Sequence, residues 1–270
     1  MQPIIFTDLD GTLLDKETYS YEKVLDTIST LKKHKIPIIF CSHKTHAEQE
    51  VYRRKLAIND PFIVENGGAI FVPCNYFTFN FEYHKIVDDN FVIELGTSYK
   101  YIRAKLKKIE REIGIPIKGF GDMSIEEVAR DSGLTFELAI YAKKREYDET
   151  LKLDGPQETI DRILKKIEEC DLNWTHGGRY YSVMGENDKG RAVEILSELF
   201  KQKYGIIKTI GIGDSLSDLS MLEIADEPYL VQKPGNVWEN IELQNLTRVE
   251  GVGPEGWNIV VKKLLSKLHK

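Results

Sequence analysis

Apolar residues open the chain in an unbroken run, Pro3-Ile4-Ile5-Phe6-Thr7, which ends on Asp8-Leu9-Asp10-Gly11-Thr12. The same texture returns over 36–41, 62–65 and 206–212. Short continuous apolar runs of this kind predict strands buried on both faces. Between them the period changes. Val24, Ile28 and Leu31 recur on one face of a helix predicted over 21–34. Further helices are predicted from near Thr45, over 189–204 with Gly205 as its stop, and over 218–225. Asn66-Gly67-Gly68 is a turn sequence closing the third strand. Strands alternating with amphipathic helices predict an α/β fold: a doubly wound, Rossmann-like parallel sheet with helices on both faces.

The texture shifts near Tyr76. Residues 76–83 alternate aromatic and polar positions, which predicts a half-exposed strand. A helix is expected over 98–113, and Ser124-Ile125-Glu126-Glu127 reads as a capping box opening another. Pro156 is expected at the first position of a helix over 157–169. Strands near 151–153, 172–175 and 180–184 complete a mixed α+β region, and the α/β alternation resumes at Asp188. The expected organisation is a core of 1–81 and 185–270 with an α+β insertion over 82–184.

Composition narrows the function classes. With 37 Lys and Arg against 43 Asp and Glu, the 270-residue chain carries a net charge of −6. That argues against nucleic-acid binding over a broad basic face. No apolar run approaches the ~18–20 residues of a membrane span. Cys41, Cys74 and Cys170 form no CxxC pair, so neither a disulfide framework nor a thiolate zinc site is expected. The opening residues lack a basic stretch followed by a long apolar one, and a cytoplasmic protein is expected.

In a parallel α/β sheet ligands bind beyond the carboxyl ends of the strands. Asp8 and Asp10 stand there after the first strand, Ser42 after the second, and Gly213-Asp214-Ser215-Leu216-Ser217-Asp218 after a late one. Four carboxylates converging on one cleft would repel strongly, and a hard cation such as Mg²⁺ relieves that repulsion. Taken singly, Asp214, Asp218 and Ser42 also read as helix caps, and Asp-Gly-Thr as a turn. Lys189 opens a helix, where its charge adds to the positive end of the helix dipole and suits a phosphate.

The ordered set Asp8-Leu9-Asp10-Gly11-Thr12, Ser42, Lys189 and Gly213-Asp214 through Asp218 resembles the haloacid dehalogenase-type phosphohydrolases. The resemblance implies a core interrupted by an α+β cap of the C2B type. It implies that Asp8 is the nucleophile taking the phosphoryl group, and that Asp10 protonates the leaving oxygen and later deprotonates water. Thr12, Ser42 and Lys189 would hold the phosphate. Asp8, Asp10 through its carbonyl, and Asp214 would bind Mg²⁺, with Asp218 orienting Lys189 or a metal-bound water. Ser217 stands where the family commonly has asparagine.

In this family such an insertion is a lid that selects substrate. The strings Cys41-Ser42-His43-Lys44-Thr45, Arg145-Glu146-Tyr147-Asp148-Glu149, Gly178-Arg179-Tyr180-Tyr181 and Gly253-Pro254-Glu255-Gly256-Trp257 resemble the branch acting on small phosphorylated sugar acids. The resemblance implies that Lys44, Thr45, Arg145 and Arg179 contact substrate, the two arginines as a carboxylate clamp. His43 departs from the shorter side chain expected between Ser42 and Lys44. The implied partner is a small-molecule substrate, with no nucleic acid, no membrane and a monomer or dimer.

Other signals are weaker. Gly251-Val252-Gly253-Pro254-Glu255-Gly256 matches a dinucleotide fingerprint, but too little chain follows for a βαβ unit, so a turn near the cleft is expected. His43 and His46 lack a third ligand for zinc. Lys262, Lys263, Lys267 and Lys270 mark the solvated face of an amphipathic helix. A phosphomutase would use the same core, and a receiver-like switch would be phosphorylated on aspartate without turnover. Asp10 and the large insertion argue against the switch.

Overall fold

The computed structural model describes residues 1–268. In chain order the elements are β1 (Gln2–Thr7), α1 (Leu25–Lys33), β2 (Ile38–Phe40), α2 (His46–Leu56), β3 (Phe62–Val64), β4 (Ala69–Pro73), β5 (Lys85–Val87) and β6 (Asn90–Glu94). There follow α3 (Tyr99–Ile113), β7 (Lys118–Gly119), α4 (Ile125–Ser132), α5 (Phe136–Ala142), β8 (Asp148–Lys152), α6 (Gln157–Glu168), β9 (Asn173–His176) and β10 (Tyr181–Met184). The chain closes with α7 (Lys189–Tyr204), β11 (Ile207–Gly213), α8 (Leu219–Ile224), β12 (Glu227–Gln232), β13 (Thr247–Val252) and α9 (Pro254–Leu268).

Successive strand residues point to opposite faces, and here both faces are apolar. Ile4 and Phe6 of β1, Ile39 of β2 and Leu230 of β12 pack against Val193, Leu196 and Phe200 of α7 and Met221 and Leu222 of α8. Ile5, Ile38, Phe40, Ile210 and Val231 face the other way, onto Ile28 and Leu31 of α1 and Trp257, Val260 and Val261 of α9. The result is a five-stranded parallel sheet in the order β13-β12-β11-β1-β2, the doubly wound arrangement expected. Among the described residues no helix is long and apolar enough to cross a membrane.

The third predicted strand behaves differently. Ile63 makes one parallel bridge to Cys41, but β3 pairs antiparallel with β4. The reason is local: Glu65 and Asn66 both take left-handed conformations, φ 46° and 55°, and reverse the chain into a hairpin. A four-stranded antiparallel sheet, β3-β4-β6-β5, grows from it and straddles position 82, where the insertion was expected to begin. The half-exposed strand expected over 76–83 is absent. Its aromatics instead cluster: Phe77 contacts Phe79, Phe81 and Phe200, with ring centroids 5.2, 5.9 and 5.5 Å apart. Ring-on-ring packing against α7 satisfies this segment without a strand partner, which sequence alternation does not distinguish from a pleat.

A second antiparallel sheet, β7-β8-β10-β9, carries α3 and α6 on one face, where Leu106 and Ile109 meet Leu151, Ile163, Ile167 and Val183. Its other face turns toward the core. The Ser124–Glu127 capping box is present, and Pro156 sits one residue earlier than expected, as the cap of α6 with ψ 141°. Of the lysines on α9, Lys262, Lys263 and Lys267 are exposed, and Lys270 lies outside the described residues.

Candidate active site

Parallel strands deliver their carboxyl ends to one edge, and there β1 and β11 release their acids side by side. The Asp8 amide donates to the Ile212 carbonyl at 2.9 Å, locking the two strand ends together. From behind, buried Trp257 Nε1 donates to Thr7 Oγ1 at 3.1 Å, and Thr7 Oγ1 donates to the Asp8 carbonyl at 2.8 Å. Gly11 lets the chain swing clear at φ +87°, where a Cβ would come within 2.8 Å of Asp214 Oδ2.

Lys189, the first residue of α7, enters this cluster from the opposite side. Asp188 caps the helix by accepting from the Arg191 amide at 3.0 Å, which aims the next residue inward. Lys189 Nζ donates to Asp8 Oδ1 at 2.8 Å and Asp218 Oδ1 at 2.7 Å. All three side chains are buried. The two carboxylates hold the Lys189 ammonium charged against the cost of burial.

Asp8, Asp214 and Asp218 each offer a carboxylate oxygen within 4.8 Å of the others. Burial first, and the Asp218 carboxylate further, raise Asp8 to about 6 even though Lys189 pulls the other way. Burial likewise lifts Asp214 to about 7, with Asp218 and Asp8 adding to the shift and Lys16 opposing it. Asp218 spends both oxygens inside the protein, on Lys189 and on the Asp214 and Ser215 amides at 3.0 and 3.1 Å. Asp214 Oδ2, by contrast, is buried with no hydrogen-bond partner. An orphaned oxygen among carboxylates that resist ionisation fits a hard, oxygen-liganded cation.

Asp10 points away from this cluster into a cavity of about 280 Å³ between core and insertion. Its Oδ2 lies 2.9 Å from Lys44 Nζ and 3.4 Å from His43 Nε2. Burial opposes ionisation, but the Lys44 ammonium foremost outweighs it and holds Asp10 below the usual carboxylate range, while burial pushes the His43 imidazole down to about 3 and leaves it neutral. Lys44, Arg145 and Arg179 also line the cavity. Ser42 is fully buried, accepting from the Lys44 amide at 3.4 Å, and Thr12 Oγ1 reaches Asp214 Oδ1 at 3.5 Å. Thr45 lies beneath the cavity wall rather than along it. It caps α2 in a capping box with Glu48 and donates its hydroxyl to the Tyr141 carbonyl at 3.0 Å.

The two arginines of the expected clamp differ. Arg145 is buried, paired with Asp148, and donates to the His43 carbonyl at 2.6 Å, tying the insertion to the core. Arg179 is exposed and donates to the Asp131 carbonyl at 2.8 Å. His46 is no ligand: its ring stacks on Phe71 with centroids 4.3 Å apart. The glycine-rich turn meets the cleft from below, where a Cβ on Gly253 would stand 3.2 Å from the Gly11 carbonyl.

Sequence reasoning passed over three groups. Lys16 Nζ donates to the Asp10 carbonyl at 3.3 Å and lies 3.9 Å from Asp214 Oδ2. Tyr19 donates to the Ser132 carbonyl of the insertion at 3.0 Å, beneath the Lys44 ammonium. Glu65 accepts the Glu146, Tyr147 and Asp148 amides at 2.7–3.0 Å, and burial lifts its carboxyl to about 8. The Asn-Gly-Gly turn was the available signal for Glu65, read only as a strand end.

A family model described as haloacid dehalogenase-like hydrolase matches residues 5–233. A glucosyl-3-phosphoglycerate/mannosyl-3-phosphoglycerate phosphatase of Methanococcoides burtonii is 45% identical over 268 residues, covering 99% of this chain and 98% of the relative. A mannosyl-3-phosphoglycerate phosphatase of Pyrococcus horikoshii is 39% identical over 231 residues, covering 84% and 90%. Among solved structures, a Thermoplasma acidophilum protein superposes with a TM-score of 0.70 at 17% identity, covering 98% and 99%. The span of that family model and the near-full-length identity to its phosphatases agree with the aspartates at the strand ends: the chain belongs to the haloacid dehalogenase-like hydrolase family.

Proposed function

We propose that this chain is a Mg²⁺-dependent cytoplasmic phosphatase that hydrolyses 2-(α-D-mannosyl)-3-phosphoglycerate to phosphate and mannosylglycerate, a compatible solute. The observation that carries the reading is the buried Asp8–Lys189–Asp218 array beside an orphaned Asp214 oxygen, next to Asp10 and Lys16, which line a cavity roofed by the insertion. The names of the two relatives support the substrate. In this reading 1–81 and 185–270 form the catalytic core, extended by β5 and β6, which join β4 in one sheet, and the rest of 82–184, from α3 onward, is the lid that selects substrate.

A carboxylate nucleophile splits one difficult displacement into two easier ones. An Asp8 oxygen forms a bond to phosphorus as the ester P–O bond breaks, and the departing glyceryl oxygen takes a proton from Asp10. Water then attacks the aspartyl-phosphate as Asp10 takes its proton back, the phosphorus–Asp8 bond breaks, and inorganic phosphate leaves. Asp10 is ionised beside Lys44, which suits the second step. For the first, an arriving phosphate dianion raises its proton affinity through like-charge repulsion and by drawing on the same lysine. Lys189, Ser42 and Thr12 hold phosphoryl oxygens. Asp8, the Asp10 carbonyl and Asp214 would hold Mg²⁺, which supplies charge neutralisation for the transferring group.

A phosphate-release screen over sugar phosphates, with and without EDTA, tests this. Mannosyl-3-phosphoglycerate should be cleaved fastest, with no isomeric phosphosugar formed and with activity lost to EDTA and restored by Mg²⁺. Much faster cleavage of simple hexose phosphates would remove the named substrate, and formation of a phosphosugar isomer would favour a mutase.

The cation makes a separate prediction. Asp8 and Asp214 have folded-state affinities for protons above those of the unfolded chain, whose carboxyls titrate near 3.8. Without metal, their contribution to stability is therefore present at low pH and lost as pH rises through about 6 and 7. A cation replaces those protons. The rise in Tm on adding Mg²⁺ should be larger at pH 8 than at pH 5, and an equal rise at both would remove these carboxylates as ligands.

A further inference from the structure

The lid sheet presents a single row of hydroxyls to the cavity. Thr150 on β8 lies directly opposite Ser182 on β10, which lies directly opposite Thr175 on β9. All three line the cavity, while the adjacent Leu151 and Val183 turn to the opposite face and pack under α3 and α6. Asn66, from the hairpin turn of the core, lines the same space and donates its Nδ2 to Asp148 Oδ2 at 3.3 Å. Asp148 stands two residues before Thr150, on the same face of β8.

Two atoms here lack partners. Thr150 Oγ1 and Asn66 Oδ1 are buried and make no hydrogen bond, and both residues are only 3% exposed. Buried polar groups are ordinarily satisfied, so a pair of orphans on one cavity wall calls for a ligand that completes them. The three hydroxyl residues and Asn66 carry no charge. Charged residues line the same cavity as well: Asp10 and Lys44, paired at 2.9 Å, and Arg145, which shares Asp148 with Asn66. Phe120 and Tyr180, edge to face with centroids 5.2 Å apart, add an aromatic surface. Neutral hydroxyls beside aromatic rings match a sugar ring, which has hydroxyls at its rim and C–H groups on its faces.

Building on the phosphatase reading above, we propose that Thr150, Ser182, Thr175 and Asn66 form the subsite for the glycosyl ring, with Thr150 Oγ1 and Asn66 Oδ1 bonding sugar hydroxyls. The phosphoglyceryl part then occupies the charged region. Serine and threonine hydroxyls rotate and serve as donor or acceptor. A row of them accommodates an axial or an equatorial sugar hydroxyl, so both mannosyl and glucosyl substrates are accepted.

Thr150→Val tests the assignment, because valine keeps the branched shape suited to a strand and removes only the hydroxyl. The first measurement is kcat/KM for mannosyl-3-phosphoglycerate divided by kcat/KM for 3-phosphoglycerate, which has no sugar. The variant should lower that ratio about ten-fold, the size expected for one lost hydrogen bond to a buried partner. The second is Ki for mannosylglycerate against p-nitrophenyl phosphate hydrolysis, which should rise about ten-fold on the same grounds. Ser182→Ala provides the same pair of measurements if Thr150→Val does not fold. If the wild type does not cleave the glycosyl substrate but the Ki still shifts, the reaction reading fails and the subsite stands. A folded variant with both ratio and Ki unchanged overturns the subsite.

Discussion

Asp8→Asn is expected to lower phosphate release from mannosyl-3-phosphoglycerate by at least about 10⁴-fold, the scale seen when a covalent nucleophile is removed from other enzymes. The side chain keeps its shape, so the loss isolates the carboxylate. The substituted side chain would offer phosphorus only an amide oxygen, and the aspartyl-phosphate could not form. The Lys189 ammonium would lose one of its two carboxylate partners, now at 2.8 and 2.7 Å, and keep Asp218. Circular dichroism should show the native fold, and rapid-quench mass spectrometry should find a phosphorylated Asp8 peptide in the wild type alone. Turnover within ten-fold of wild type would end the covalent mechanism as written.

Lys189→Met should damage both chemistry and stability. A charge that meets the transferring phosphoryl group typically contributes ~10²–10³-fold in kcat. Removing it also strands Asp8 and Asp218, both buried, without their shared cation. Breaking a buried pair from one side costs about 3–5 kcal/mol. The penalty should depend on pH, because Asp8, already raised above its unfolded value by burial, loses the Lys189 charge that pulls it down and is raised further. Such a group contributes stability at low pH that disappears as pH rises. Urea denaturation should therefore show a larger deficit at pH 8 than at pH 5. A deficit independent of pH would mean that the lysine acts by packing rather than by charge.

Much of this centre is legible along the chain because it depends on local rules. Asp8, Asp214 and Ser42 follow apolar runs that can only be buried strands, and Lys189 follows a helix cap. Parallel topology then brings strand ends together without further information. The roles of Arg145 and Thr45 were less legible. Arg145 is expected as one arm of a carboxylate clamp; it lines the cavity, and its guanidinium also pairs with Asp148 and donates to the His43 carbonyl. Thr45 was read toward substrate, whereas its hydroxyl serves α2 and the Tyr141 carbonyl. The Tyr141 carbonyl stands 96 positions away in the chain, so residue type alone does not reveal it.

The Glu65 latch and the hydroxyl row were invisible for a different reason. Glu65 meets amides 81–83 positions away, and Thr150, Ser182 and Thr175 become neighbours only through the register of β8, β10 and β9. A one-residue slip in that register would turn the hydroxyls into the helices and Leu151 and Val183 into the cavity.

By itself the amino-acid order determined the alternating core, the stations of its acids and the lysine among them, because strand periodicity, caps and turns act over a few residues. Tertiary structure alone decided which antiparallel partner β3 took, which lid face roofs the cavity and which of its polar atoms were left unpaired. Those outcomes come from pairings between distant segments, whose energies arise only when both sides are packed in place.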